Sequence, residues 1–155
     1  MESITEIEKA YIAGFFDGEG SVIVRAAIQK NKVSYELNIS IGQNDTSILK
    51  YIQQKFGGRI ANPKYEFTRK KQTPDLRMES NKAAFFLEMI LPYLRVKRKQ
   101  SELAIAFQKL IFPKGKCKKV DQFTWDKRKE LHDAVKILNR SKCKKLDEAE
   151  AFNIN

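Results

Sequence analysis

Two carboxylates, Asp17 and Glu19, close a helical stretch in which the small residues Ala10, Gly14 and Gly18 recur at four-residue spacing. Four residues is close to one helical turn, so these small side chains line a single stripe. A glycine inside a helix costs roughly 1 kcal/mol relative to alanine, and close approach of a second backbone is the plain reason to keep Gly14 there. That backbone belongs either to another part of this chain or to the same helix of a second subunit. At the C-terminal end of the stripe the helix dipole is negative and the last carbonyls lack helical partners. Carboxylate plus free carbonyl makes an oxygen-rich pocket suited to a hard divalent cation. Two such helices crossing along the stripe would bring two pockets together, the arrangement of a two-carboxylate, metal-dependent phosphodiester hydrolase. The same residues also read as two solvated acids in a loop with the glycines as an ordinary C-cap, and spacing alone favours that plainer reading.

The charge balance says what such a site would meet. Thirty Lys+Arg against nineteen Asp+Glu give a net charge of +11 over 155 residues. Residues 1–60 carry seven basic and seven acidic side chains, so the whole excess lies in 61–155. A charge of this size attracts polyanions, nucleic acid before anionic membrane. With 42% hydrophobic residues the chain can bury a core, which excludes global disorder. No apolar run approaches membrane-spanning length, and the acidic N-terminus Met1–Glu6 does not resemble a signal peptide. Cys117 and Cys143 are far apart and without a histidine cluster, which suits a reducing compartment and argues against a zinc site.

The elements that must position the two acids follow from pattern. A helix over Thr5–Gly18 is expected, with Thr5 or Ser3 as N-cap and Gly18 and Gly20 as its stop. Two alternating segments come next, Ser21–Gln29 and Ser34–Gly42, joined by a turn at Lys30-Asn31-Lys32. Their apolar sets are Val22, Val24, Ala26, Ile28 and Tyr35, Leu37, Ile39, Ile41. A helix over Thr46–Phe56 ends at Gly57-Gly58. Strands are expected near Arg59–Phe67 and Pro74–Glu79, then helices near Asn81–Leu91, Arg98–Phe112 and Phe123–Asn139, with Pro92 and Pro113 as breaks. The sum is one α+β domain over residues 1–145, two hairpins forming an antiparallel sheet with helices on one face, followed by a tail at 146–155.

The segment Ile12-Ala13-Gly14-Phe15-Phe16-Asp17-Gly18-Glu19-Gly20 resembles the defining motif of the LAGLIDADG homing endonucleases, and the order of elements matches that family's αββαββα core. The resemblance spans about Tyr11 to Lys145 and implies a dimer-interface helix that ends in a metal-binding acid. It makes Glu19 and the Gly18 carbonyl the metal ligands, with Glu19 standing where the family's namesake residue is Asp. It also implies that Gln43, in Ile39-Ser40-Ile41-Gly42-Gln43, orders water near the scissile phosphate, and that Lys97, in Leu94-Arg95-Val96-Lys97, polarises the site. Lys50 is the nearest basic candidate for the family's pocket arginine. The motif occurs once, so the implied protein is a homodimer on an approximately palindromic target. The cation is expected to be Mg²⁺, with Mn²⁺ or Ca²⁺ able to substitute in binding.

By alternation, Ile23, Arg25, Ala27, Gln29, Ser34, Glu36, Asn38 and Ser40 share the face away from the helices, joined by Asn62, Lys64, Arg69, Lys70, Gln72, Asp75 and Arg77 from the later hairpin. Pattern alone makes this the wet face of an antiparallel sheet. The resemblance makes it a surface for the major groove of double-stranded DNA, where Arg, Gln, Asn and Glu suit base edges. Phosphate contacts are expected from Lys116 and Lys118, and from a C-terminal cluster of Arg140, Ser141, Lys142, Lys144 and Lys145. His132 is expected at the surface. The implied activity is site-specific cleavage of both DNA strands with short 3′ overhangs, serving intron homing in an organelle (chloroplast or mitochondrion) or a prokaryotic cytoplasm. The rival is a non-cleaving binder of the same fold, an intron RNA maturase or a transcription regulator. A membrane partner is not expected.

Overall fold

Thr5 starts the first helix, α1 (Glu6–Glu19), through a reciprocal cap. Its hydroxyl accepts the Glu8 N–H at 3.2 Å, and the Glu8 carboxylate accepts the Thr5 N–H at 2.8 Å. In the computed structural model, which describes residues 4–29, 32–61, 73–111 and 120–141 without the side chains of Gln29, Lys32 and Ser141, ten elements follow one another. After α1 come β1 (Gly20–Gln29), β2 (Lys32–Gly42), α2 (Thr46–Phe56), β3 (Arg59–Ala61) and β4 (Asp75–Glu79). The chain continues through α3 (Ser80–Ile90), a 3-10 turn (Leu91–Tyr93), α4 (Arg98–Lys109) and α5 (Gln122–Ser141).

The sheet is antiparallel throughout, in the order β1-β2-β4-β3. Its register pairs Gly20 with Ile41 and Gln29 with Lys32, so Lys32 belongs to β2 and not to the expected turn, whose other residues, 30 and 31, lie outside the described residues. Val22, Val24, Leu37, Ile39, Ile41, Leu76 and Met78 point to one face and pack under helices that contribute Ile12, Phe16, Phe86, Leu87 and Phe107. Burying an aliphatic or aromatic side chain of this kind stabilises by about 1.5–3 kcal/mol. The αββαββα order and the single helical layer are as expected from the sequence.

Burial corrects the outer part of the first hairpin. Ala26 and Ile28 belong to the apolar set by alternation, yet Ile28 is 78% exposed and Ala26 is also exposed. The helical layer reaches only as far as Tyr35, which packs edge-on against Trp125 at 5.3 Å and lies 5.1 Å from the ring of His132. His132 is accordingly half-buried, not the surface residue its charged neighbours suggest. β4 begins at Asp75, one residue after the expected start at Pro74, while β3 is described over Arg59–Ala61 and the rest of its expected span, to Phe67, lies outside the described residues.

Gly20 joins α1 to β1 at a point where only glycine fits, because a Cβ would lie 2.2 Å from Phe16 Cδ2. The N-terminal half of α1 is held by its acids. Glu8 accepts from the Tyr51 hydroxyl at 2.6 Å and pairs with Lys55 at 3.2 Å, and Glu6 accepts from Tyr93. The Tyr51 hydroxyl, the Thr5 cap and Lys55 hold the Glu8 carboxyl down at about 2, from 4.5, while Glu8 pushes Tyr51 up to about 12. A depressed carboxylate contributes stability that is present above its unfolded pKa and is lost as pH falls through the folded one. Stability is therefore expected to drop between pH 4.5 and 2 with a contribution from this group. In Glu8→Gln the thermal midpoint should start lower at pH 7 and fall less steeply across that window; parallel curves would show that the Glu8 contacts contribute nothing.

Candidate functional site at the end of the first helix

The buried side of α1 carries Ile12, Ala13 and Phe16, which leaves the small stripe on the opposite side. A Cβ at Gly14 or Gly18 would meet no neighbouring atom within 4 Å. The close approach expected of the stripe is thus not made by any described part of this chain. Ile7, 83% exposed, and Tyr11, 57% exposed, flank the same stripe. Beside it a depression of about 500 Å³ is lined by Ala10, Gly14, Asp17, Tyr93, Arg95 and Arg98, among others.

Asp17 and Glu19, read together from the sequence, separate in the structure. Asp17 Oδ2 accepts the N–H groups of Arg95 and Val96 at 2.7 and 3.1 Å, and Oδ1 accepts that of Lys97 at 2.9 Å. Burial alone would raise the Asp17 carboxyl; the three N–H groups and the Lys97 charge outweigh it and hold it below the ordinary range. Asp17 is therefore an anchor for the segment leading into α4, which leaves Glu19 as the available carboxylate at this helix end. Glu19 is exposed and makes no hydrogen bond or ion pair with any described residue.

The anchored segment delivers Lys97, the N-cap residue of α4, which is 7% exposed. Its ammonium donates to the Asp17 carbonyl, in the last turn of α1 where the dipole favours a cation. Phe16 O is taken by the Gly20 N–H, so the Gly18 and Glu19 carbonyls are the last two at this helix end. Gly20 pairs with Ile41, which brings the end of β2 beside them. Gln43 follows β2 directly: its N–H donates to Pro74 O at 3.0 Å and its Oε1 accepts the Asn44 N–H at 2.7 Å. Lys50 is exposed on α2.

A cavity of about 300 Å³ opens at this corner, between Gly20–Ile23 of β1, Lys97 and Gln100 of α4, and Asn139 of α5. Asn139 donates to the Val22 carbonyl at 2.8 Å and so ties α5 to the edge strand. Neither Gln100 nor Asn139 was singled out by the sequence, although Gln100 lies one helical turn from Lys97, the signal that would have found it. Among the described residues no three His, Cys, Asp or Glu side chains gather closely enough to hold a metal. One exposed carboxylate beside terminal carbonyls fits half of a shared cation site and no more.

On the open face of the sheet, cross-strand pairs join Ile23 to Asn38, Arg25 to Glu36, Ala27 to Ser34 and Ser40 to Arg77. Ile23, Arg25, Ser34 and Arg77 are exposed, while Ala27, Glu36, Asn38, Ser40 and Asp75 are half-buried. Arg25 and Glu36 pair at 3.7 Å, and Asp75 accepts from both Arg77 at 2.5 Å and Ser40 at 3.1 Å. The Arg25–Glu36 pair, its arginine exposed, contributes about 0–1 kcal/mol, so exchanging it for a ligand's polar edges costs little. Arg59, missed in the sequence, stands opposite Arg77, and two like charges across a ladder favour an anionic partner. Arg140 is exposed in the last turn of α5 and lines a second depression with Arg25. Asn62, Lys64, Arg69, Lys70, Gln72, Lys116, Lys118, Lys142, Lys144 and Lys145, with the side chains of Gln29 and Ser141, lie outside the described residues, as does the tail 146–155. No helix among the described residues is long and apolar enough to cross a membrane.

The sequence profile described as LAGLIDADG endonuclease matches residues 12–111. No curated protein matches the chain in sequence. Among solved structures, the homing endonuclease I-CvuI in complex with its target superposes with a TM-score of 0.70 at 22% identity, over 96% of this chain and 87% of that one. The archaeal intron-encoded homing endonuclease I-Vdi141I complexed with DNA gives 0.70 at 17% identity, over 96% and 90%. The homing endonuclease I-GzeII in complex with a DNA target gives 0.66 at 16% identity, over 99% of this chain and 54% of its own.

Proposed function

The chain belongs to the LAGLIDADG endonuclease family, and from that premise we propose that it is a homodimeric, metal-dependent endonuclease. It would hydrolyse both strands of a long, approximately palindromic DNA duplex, leave short 3′ overhangs and serve intron homing, in an organelle or a prokaryotic cytoplasm. The observation that carries this reading is Glu19: an exposed carboxylate with no described partner, at a helix end whose other acid is fully engaged.

Glu19 and the Gly18 carbonyl from each subunit would hold the divalent cation, which we take to be Mg²⁺. Bound there, it supplies Lewis acidity to the phosphodiester and lowers the pKa of a water. Lys97, fixed by the Asp17 anchor and by its contact to the Asp17 carbonyl, places a positive charge where the phosphate accumulates negative charge. Gln43 would order solvent at the end of β2. The open face, with Ile23, Arg25, Ala27, Ser34, Glu36, Asn38, Ser40, Asp75 and Arg77, would lie in the major groove, and Arg140 would meet the backbone. The small stripe on α1 supports dimerisation, since no described part of the chain packs on it.

The test is an assay of Mg²⁺-dependent cutting on a randomised duplex library, alongside selection for binding in Ca²⁺. An endonuclease yields a cleaved, pseudo-palindromic sequence. A binder of the same fold yields bound duplexes and no cut, and recovery of neither would defeat the DNA reading altogether.

A further inference from the structure

Gln100 is 5% exposed, lines the cavity at the end of α1, and makes no hydrogen bond with any described residue. Buried carboxamides are ordinarily paired within the protein; that of Gln100 instead keeps its polar atoms open to the cavity. The two other buried polar side chains of α4 follow the rule: Ser101 Oγ donates to Lys97 O at 2.8 Å, and Gln108 donates to Asn81 at 2.8 Å. The exception is therefore specific to the position facing the cavity. Gln100 stands one turn after Lys97, so α4 presents an ammonium and a carboxamide side by side to the same space. The opposite wall is Gly20–Ile23, the first residues after Glu19.

We propose that Gln100 is a further catalytic residue, its side-chain N–H donating to a non-bridging oxygen of the phosphodiester held beside Lys97. The proposal rests on the endonuclease reading. A neutral, fixed donor aimed at an oxygen that gains charge stabilises the transition state more than the ground state. Being neutral and recessed, it should contribute little to overall affinity for DNA, which comes chiefly from exposed cations.

The test uses the full chain and a duplex recovered by binding selection in Ca²⁺, so the probe does not depend on cutting. In Gln100→Met, which keeps the length and removes the N–H, single-turnover cleavage is expected to fall by about 10²-fold. The dissociation constant in Ca²⁺ should change less than threefold, and the thermal midpoint should hold. Unchanged cleavage, or a midpoint that falls together with cleavage, overturns the proposal in favour of a packing role. The ¹⁵N resonance of the Gln100 side-chain amide supplies a second readout, expected to shift when the duplex binds in Ca²⁺. Wild-type protein that binds without cutting defeats the endonuclease reading, while an unmoved Gln100 amide separately removes the contact.

Discussion

Glu19→Gln is expected to reduce Mg²⁺-dependent DNA cleavage by on the order of 10³-fold or more, with DNA binding nearly unchanged. The substitution keeps the side-chain length and hydrogen-bonding shape and removes the negative charge that a hard cation requires. Structure predicts no collateral damage: Glu19 is exposed and makes no bond with any described residue, so neither the α1 cap nor the sheet depends on it. Exposed substitutions of this kind stay within about 0.5 kcal/mol in stability, and because affinity for DNA comes chiefly from basic side chains on phosphates, binding in Ca²⁺ should stay within two- to threefold. The measurement is a paired one, single-turnover cleavage and equilibrium binding on the same duplex. Cutting that survives in Glu19→Gln would sink the assignment of the metal acid. Loss of binding with no cutting in either protein would instead point to a binder in which Glu19 supports the surface.

The difference between Asp17 and Glu19 also marks how far sequence could reach. Both are acids at one helix end, and spacing cannot say which is free. The answer depends on a contact across 78 to 80 residues, from Asp17 to the N–H groups of 95–97. Helix α1, with its cap at Thr5 and its small stripe, was legible because capping and periodicity are local. Helix α2 was found at its observed ends, Thr46 and Phe56, for the same reason. The exposure of Ala26 and Ile28 was not, since alternation gives a strand its two faces but not the length of the layer beneath it. Gln100 was passed over for a similar cause: its spacing from Lys97 is local, but a glutamine in a basic helix start reads as surface until α4 is laid against β1 and the cavity forms beside it. The open-face set was legible as a face, and its internal pairing of Asp75 with Ser40 and Arg77 was not.

If the proposed dimer forms through the glycine stripe, Gly14→Leu should leave the protein a monomer, the second large effect. Within one chain the replacement is favourable. No neighbour lies within 4 Å of a Cβ at this position, and exchanging glycine for a good helix former inside α1 stabilises the isolated helix by about 0.5–1 kcal/mol. Between two chains of the proposed dimer it would be prohibitive, because a four-carbon side chain would stand where the backbones would meet along Ala10, Gly14 and Gly18. Each chain contributes a single Glu19, so separated subunits would each hold half a cation site. They would also read half a target, which forfeits an avidity of about 10²–10⁴. Sedimentation at micromolar protein should therefore report half the wild-type mass, with cleavage of both strands lost and the unfolding midpoint of the separated chain no lower than expected for an intact fold. A monomer that is also unfolded would mean that α1 is needed for the core in a way its exposed stripe does not indicate. A stable, active dimer would place the subunit contact on another face and leave the glycine stripe without the function that justifies its cost in helix stability.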